Sequence, residues 1–492
     1  MQQYTPIRIH PKNPKCFEFR GKPLVFVTAT EHYGAILNRK FDFERYLADM
    51  ADKRMTLTRE FMLYREIETP KNPMSALKPP PEDYVAPYQR PGPGTATDGL
   101  PMFDLDRWNP GFFERLHRFI GRASELGIVV EVVLFSNTYN DRIWALNPLN
   151  KPNNINNVEE IKWQQYTTSR HSKLLDRQTD FARKIVEETN KYDNIFYEIC
   201  NEAAGYAPGD EQNPSLDEVD QWQRSVAEVI RQAESKLPNK HLIAGQEALA
   251  YPDWRQSPGG SFRSFPVDIV NVHPLPGMRY AEKTYDMGAF ESKQLKLRAV
   301  RDFCLATQRE PKPLNLDEDN VANVFKDAEG WTIQRKRAWT TLFCGCHYDF
   351  IEFSILPGSE TGSSESQRCV RKWFKHLSEF IHSADLANAR PLTGLVKSVP
   401  PHTLESVLGV DGKDYCVYLA DSREMEEKGC GKPITGEIVL HLPEGSYSVS
   451  IYSPVTGEYS QAAAISGGDY AVVSVPEFVH DTVVRIKRSK AG

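Results

Sequence analysis

At 492 residues the chain is too long for one compact domain of ordinary size, and it fits a barrel of roughly 250–400 residues with a smaller companion. Its 40% apolar and 26% charged residues exclude a disordered polymer. Basic and acidic residues number 60 and 66, for a net charge of −6 without a basic stripe, which sets nucleic acid aside as a partner.

No run of about eighteen apolar residues marks a membrane span. The opening Met1 to His10 has no apolar signal core. The expectation is a cytoplasmic protein, or a secreted or periplasmic one whose leader is absent from this chain. The 8 cysteines are scattered and read as reduced core thiols. Cys344-Gly-Cys346 is the one close pair. No second ligand cluster accompanies it, so no metal and no cofactor are expected.

Between residues 24 and 356, short β-rich apolar runs alternate with amphipathic helical stretches, the pattern of parallel strands joined by crossover helices. Strands are predicted at 24–29, 55–61, 128–135, 195–201, 241–245, 269–273, 313–318 and 350–356. Several are apolar on both faces, as strands covered by helices should be. Helices are predicted at 112–126, 172–189 and 216–236. Asn109-Pro110 starts the first of these and Gly127 stops it. Eight such units predict an α/β fold, a closed (β/α)8 TIM barrel.

Two long insertions, 70–102 and 139–169, each follow a predicted strand and so fall at the C-terminal rim, where barrel enzymes bind substrate. The second carries Trp144, Trp163 and Tyr166. From about residue 391 the pattern turns to apolar–polar alternation broken by turn signals, which predicts a small antiparallel β-sandwich. The expected division is a barrel domain with an N-terminal hairpin over 1–390 and a sandwich over 391–492. All 8 tryptophans lie at or before Trp373, so the sandwich has none with which to stack a sugar and is read as structural.

Two carboxylate signals carry the chemistry. The apolar run Asn194-Ile-Phe-Tyr-Glu-Ile-Cys-Asn-Glu202 ends abruptly in Asn201-Glu202, at the end of the fourth strand, where a carboxylate faces the barrel mouth. Lys312-Pro-Leu-Asn-Leu-Asp-Glu-Asp-Asn320 ends the seventh in three consecutive acids. On a two-residue period Leu314, Leu316 and Glu318 share a face. If the leucines fill the barrel, Glu318 points into the mouth, and Asp317 and Asp319 point to helices or rim. A calcium loop is the competing reading, but the run lacks EF-hand spacing and its glycine. Glu198 has the parity of Glu202 and is expected inside the barrel, where its charge needs a partner.

Those motifs resemble the clan-A glycoside hydrolases, (β/α)8 enzymes that include family 5. The resemblance covers roughly residues 16–356 and is nearest to members that open with a segment like Phe17-Glu-Phe-Arg-Gly-Lys-Pro-Leu24 and end in a β-sandwich. It implies that Glu202 is the acid/base and Glu318 the nucleophile of a retaining reaction. It further implies that Arg59 and His273, on the second and sixth strands, and Asn201 serve the site. Glu31, His32 and Tyr33, which end the first strand, are plausible sugar contacts. The clan's tryptophan after strand eight is missing; Tyr280, Tyr285 or Trp331 are candidates to replace it.

The expected charge order is a low Glu318, paired with Arg59, and a Glu202 raised by the charge on Glu318. The substrate class is carbohydrate, with the sugar, the linkage and the oligomeric state open. Two alternatives stand beside this reading. One is a carbohydrate-binding barrel without turnover. The other is a metal-dependent hydrolase, for which clustered histidines are missing.

Overall fold

The computed structural model describes residues 5–67, 75–206, 210–460 and 462–489; residues 70–74 of the first rim insertion lie outside them. Eight parallel strands form one sheet. They are Val27–Thr30, Leu57–Phe61, Val129–Ser136, Ile195–Asn201, Ile243–Gly245, Ile269–Val272, Leu314–Leu316 and His347–Ile351. Each from the second onward is hydrogen-bonded to the next, and the eighth pairs with the first. Between first and second, Thr56 N–H donates to the Val27 carbonyl at 3.2 Å and Phe61 N–H to the Tyr33 carbonyl at 3.0 Å, which draws the sheet into a barrel.

Helices cover the outside. Pro110–Leu126 begins with the Asn109 side chain accepting from Gly111 N–H and ends at Gly127 with φ +76°, a left-handed residue suited to glycine. Ser172–Thr189, Leu216–Glu234, Leu297–Thr307 and Ala328–Phe343 supply later crossovers, and Val370–Ile381 follows the eighth strand. The fifth crossover has no α-helix. There Leu249–Tyr251 pairs at the rim with Ala204–Tyr206, after the fourth strand.

Two strand expectations need correction. Leu24 belongs to Lys22–Leu24 in a three-stranded N-terminal sheet with Arg8–His10 and Asn13–Phe19. Phe17 and Phe19 of that sheet pack on Phe26, Leu57, Val129, Phe196 and Ile269, so it plugs the barrel floor. The eighth strand lies earlier than 350–356, at His347–Ile351, because His347 and Asp349 face the interior and dilute its apolar signal.

Inside, the barrel is apolar only at its floor. Above that layer Arg59, Glu131, Glu198, Asn271, Asn315, Asp317 and Asp349 are all fully buried. Their alternate neighbours, including Leu314 and Leu316, join the outer core against the helices.

The C-terminal strands, from Arg390–Pro391 to Asp481–Arg488, form one antiparallel sheet. Its longest members, Ile434–Tyr452 and Ala463–Phe478, shift register at several points, and such bulges bend a strand. The sheet thereby curls over an apolar core of Tyr415, Val417, Leu419, Ile438, Leu440, Val449, Val484 and Ile486, a small sandwich. Its other face packs on the barrel. Tyr418 stacks on Trp339 at 5.5 Å, and Arg335 holds Asp481 through two bonds of 2.9 and 2.7 Å. Among the described residues no helix is long and apolar enough to cross a membrane.

Candidate active site

At the C-terminal mouth a pocket of about 280 Å³ is lined by His32, Phe61, Tyr64, Glu66, Tyr139, Asn201, Glu202 and Glu318, among others. The backbone delivers both acids in the same way. Glu202 has φ +48° and Glu318 φ +54°, a left-handed turn just past the end of a strand. Such a conformation is uncommon for a residue with a side chain, and it persists only where the surroundings hold it. At Glu318 the hold is visible: its N–H donates to Asp349 Oδ1 at 2.6 Å.

This turn corrects the alternation argument for the seventh strand. Leu314 and Leu316 face the helices, and Asn315 and Asp317 fill the barrel. Glu318 reaches the mouth because the chain leaves the strand period after Leu316, not because it continues it. Asp319 does point outward, where it accepts from Arg337 at 2.6 and 3.1 Å and from Tyr348 O–H at 2.8 Å.

Arg59 organises the floor. Its guanidinium donates to Glu318 Oε2 at 2.7 Å, to both Glu198 oxygens at 2.7 Å and to Asn201 Oδ1 at 2.9 Å. Asp317 Oδ2 is 3.4 Å from its Nε. The ring of Tyr33 lies beneath it with the centroid 4.6 Å away, a cation–π contact in a dry site. Glu198 is thus buried and partnered.

Glu202 is held by two groups that can each give or take a proton. Tyr139 O–H donates to Oε2 at 2.7 Å, and His273 Nδ1 meets Oε1 at 2.8 Å. The other ring nitrogen of His273 faces Asp317 at 3.6 Å and Glu318 at 3.9 Å. Asn201 Nδ2 donates to Tyr139 Oη at 2.9 Å. Asn320 Nδ2 donates to Glu318 Oε1 at 3.1 Å, so both of the bonds described to that carboxylate come from donors.

The resting charge order differs from the one expected. Burial pushes Glu318 up to about 7, against the pull of His273 and Arg59. Glu202 is also buried, but hydrogen bonds from His273 and Tyr139 hold it below the ordinary carboxylate range. Arg59 and His273 hold Asp317 down to about 2 despite burial. His273, although buried, is raised well above its usual value by Glu318, Asp317 and Glu202. Arg59 is thus shared among several acids, and Asp317 holds its charge while Glu318 keeps a proton near neutrality.

Oxygens of Glu202 and Glu318 and a ring nitrogen of His273 lie within 4.8 Å of one another. Three such groups can hold a metal ion, as can Glu131, Glu198 and Asp317 below them. In both sets the guanidinium of Arg59 already supplies a positive charge at contact distance. Cys344 and Cys346 do not converge on a common point: one thiol meets Ser406 Oγ and the other Gln308 Nε2.

The remaining sequence candidates separate. His32 lines the pocket, bonded to Ser75 Oγ at 2.8 Å, and burial lowers it to about 3, so it is neutral. Glu31 turns away. Its oxygens accept Gly34 and Ala35 N–H at 3.0 Å, which builds the turn rather than the pocket. Tyr33 is covered by Arg59. Trp331, Tyr280 and Tyr285 are buried in the outer core and do not replace the missing tryptophan. Sequence reasoning missed Tyr139, Asn320 and Asp349. Tyr139 opens the rim insertion at 139–169, and nothing local in the sequence marks its hydroxyl.

A family model described as Cellulase (glycosyl hydrolase family 5) matches residues 88–337, just over half of the chain. The chain belongs to glycosyl hydrolase family 5. The matched span contains both Asn201-Glu202 and Glu318. A family 5 glycoside hydrolase from Bacteroides vulgatus ATCC 8482 shares the fold at 13% identity, with a TM-score of 0.61 over 100% of this chain and 96% of that one. Another solved glycoside hydrolase is 12% identical, with a TM-score of 0.61 over 100% of both chains. No curated protein sequence matches. As a family 5 member the protein is a glycoside hydrolase, and its substrate is a carbohydrate.

Proposed function

We propose that this protein is a retaining glycosidase that cleaves O-glycosidic bonds of an oligo- or polysaccharide by double displacement. The observation that carries the reading is the pair of carboxylates facing one pocket with oxygens within 4.8 Å. That spacing suits a covalent route, for which the groups lie about 5–5.5 Å apart, and leaves too little room for the water of an inverting route.

Glu318 attacks the anomeric carbon while Glu202 protonates the departing oxygen. Glu202 then takes a proton from the incoming water, whose oxygen displaces Glu318. Arg59 and Asn320 stabilise the carboxylate form of Glu318 that attacks. In this reading Asn201 bonds the 2-hydroxyl of the reacting sugar and His32 is a further sugar contact, while the covered Glu31 and Tyr33 hold the wall.

The pair shares one proton below about 7. It rests on Glu318, whereas the reaction requires it on Glu202. His273, which bonds Glu202 with one nitrogen and faces Asp317 at 3.6 Å and Glu318 at 3.9 Å with the other, lies between the two acids. The partners of Glu202, a hydroxyl and an imidazole, accommodate either state.

The test is a screen of purified protein against aryl glycosides and plant and bacterial polysaccharides, with Glu318→Gln as control. Sugar release by the wild type that falls at least about a thousandfold in the variant is expected. Turnover untouched by the substitution sinks the nucleophile assignment. Glycan binding without turnover by the wild type returns the non-catalytic reading.

A further inference from the structure

The catalytic carboxylates occupy one end of a feature that the reaction itself does not use. Tyr139, bonded to Glu202, stands in a chain of rings. Its centroid is 6.1 Å from Tyr64 on one side and 6.0 Å from Trp254 on the other. Trp254 lies 5.4 Å from Tyr251. Tyr251 lies 5.0 Å from Tyr206 and 6.4 Å from Trp163. The six rings come from loops after the second, third, fourth and fifth strands, and they form a continuous arc along the rim.

Packing accounts for only part of this arc: Tyr64 belongs to the core and Tyr139 and Trp163 pack against it, whereas Tyr251 and Trp254 stand outside it. Trp222, Trp331 and Trp339 are buried as core residues normally are, but Trp254, Trp163, Tyr251 and Tyr139 each keep part of a ring exposed. A half-exposed indole on a loop forgoes much of its burial and offers a flat apolar face instead.

We propose that this arc binds the leaving-group portion of a carbohydrate chain, with Trp254 as its first stacking platform. The assignment of side rests on the proposed roles of the two acids. The anomeric carbon meets Glu318, so the departing oxygen meets Glu202. The chain beyond that oxygen runs past Tyr139 to Trp254. Sugar rings suit such a surface, because a face of C–H groups lies on the π cloud while edge hydroxyls reach tyrosine hydroxyls. The substrate class that follows is a chain with at least two sugar units on the leaving side. Tyr251 and Trp254, the outer part of the arc, come from the crossover that lacks an α-helix.

The experiment measures kcat/KM on cello-, manno- and xylo-oligosaccharides of increasing length, labelled at the reducing end, for wild type, Trp254→Ala and Trp254→Phe. In wild type, kcat/KM on the cleaved ladder should rise with each unit added on the leaving side. In Trp254→Ala that rise should be lost, leaving the longest members about tenfold slower, and Trp254→Phe should restore most of it. A Trp254→Ala profile that tracks wild type at every length overturns the arc and leaves the glycosidase reading intact. If wild type cleaves none of the ladders and Glu318→Gln binds none by calorimetry, the arc and the glycosidase reading fall together.

Discussion

Beneath its pocket the barrel encloses Arg59, Glu131, Glu198, Asp317 and Asp349 without solvent exposure, whereas the C-terminal sheet encloses Val417, Leu419, Ile438, Leu440, Val484 and Ile486. Both regions are dry, and they put dryness to different use. In the sheet, removal of apolar surface from water stabilises the fold directly. In the barrel, desolvation opposes every charge, and the mutual attraction of acids and guanidinium offsets that cost only with close geometry. The barrel thus gives up stability so that a carboxylate at its mouth meets a fixed positive charge, and the sheet has no such demand.

The strongest way to break this contrast is Arg59→Met. It leaves Glu198 and Asp317 buried without their main counter-charge, so unfolding free energy should drop by about 3–5 kcal/mol in urea titrations, with activity lost as well. A variant as stable as wild type would mean that the network is not charged in the folded protein. Ile486→Ala probes the other side. Truncation in the apolar core should cost about 2–5 kcal/mol while kcat/KM on any cleaved substrate stays as it was. A fall in kcat/KM at temperatures where the variant is folded would show that the sheet tunes the site.

The smallest expected effect sharpens the charge argument. In the proposed mechanism the singly protonated pair does the work, and Glu318 is raised to about 7. As pH rises through that value the pair loses its shared proton, neither carboxyl has one to give the leaving oxygen, and kcat/KM should fall about tenfold per pH unit. The acid limb should lie below the usual carboxylate range, because Glu202 is held low. In Glu202→Gln the neighbouring negative charge disappears, so Glu318 should titrate below about 7, which NMR of the side-chain carboxyl would read. A wild-type rate that instead climbs through 7 would mean that both acids act fully ionised.

Much of this was legible in the chain because local chemistry decided it. The fourth strand, Ile195–Asn201, and the helices Pro110–Leu126 and Ser172–Thr189 carry clear periods and caps, and tertiary structure had nothing to override. The alternation in Leu314–Leu316 misled because it assumes an apolar interior, whereas Asn315 and Asp317 face inward here. A left-handed turn at Glu318 has no signature when the residue is not glycine. Tyr139 and Trp254 sit in loops more than one hundred residues apart, and only the closed barrel brings them within ring contact.

The helix Ala328–Phe343 follows the seventh strand, and from Gly330 to Phe343 all its residues are buried. One side lies on the barrel, where Arg337 grips Asp319; the other lies under the C-terminal sheet, where Arg335 grips Asp481 and Trp339 meets Tyr418. A chain cut near residue 390 would present that second side to water, the indole of Trp339 and the guanidinium of Arg335 stripped of its acid included. The change of sequence pattern at that point therefore marks where one architecture gives way to another, and not a seam at which the protein comes apart.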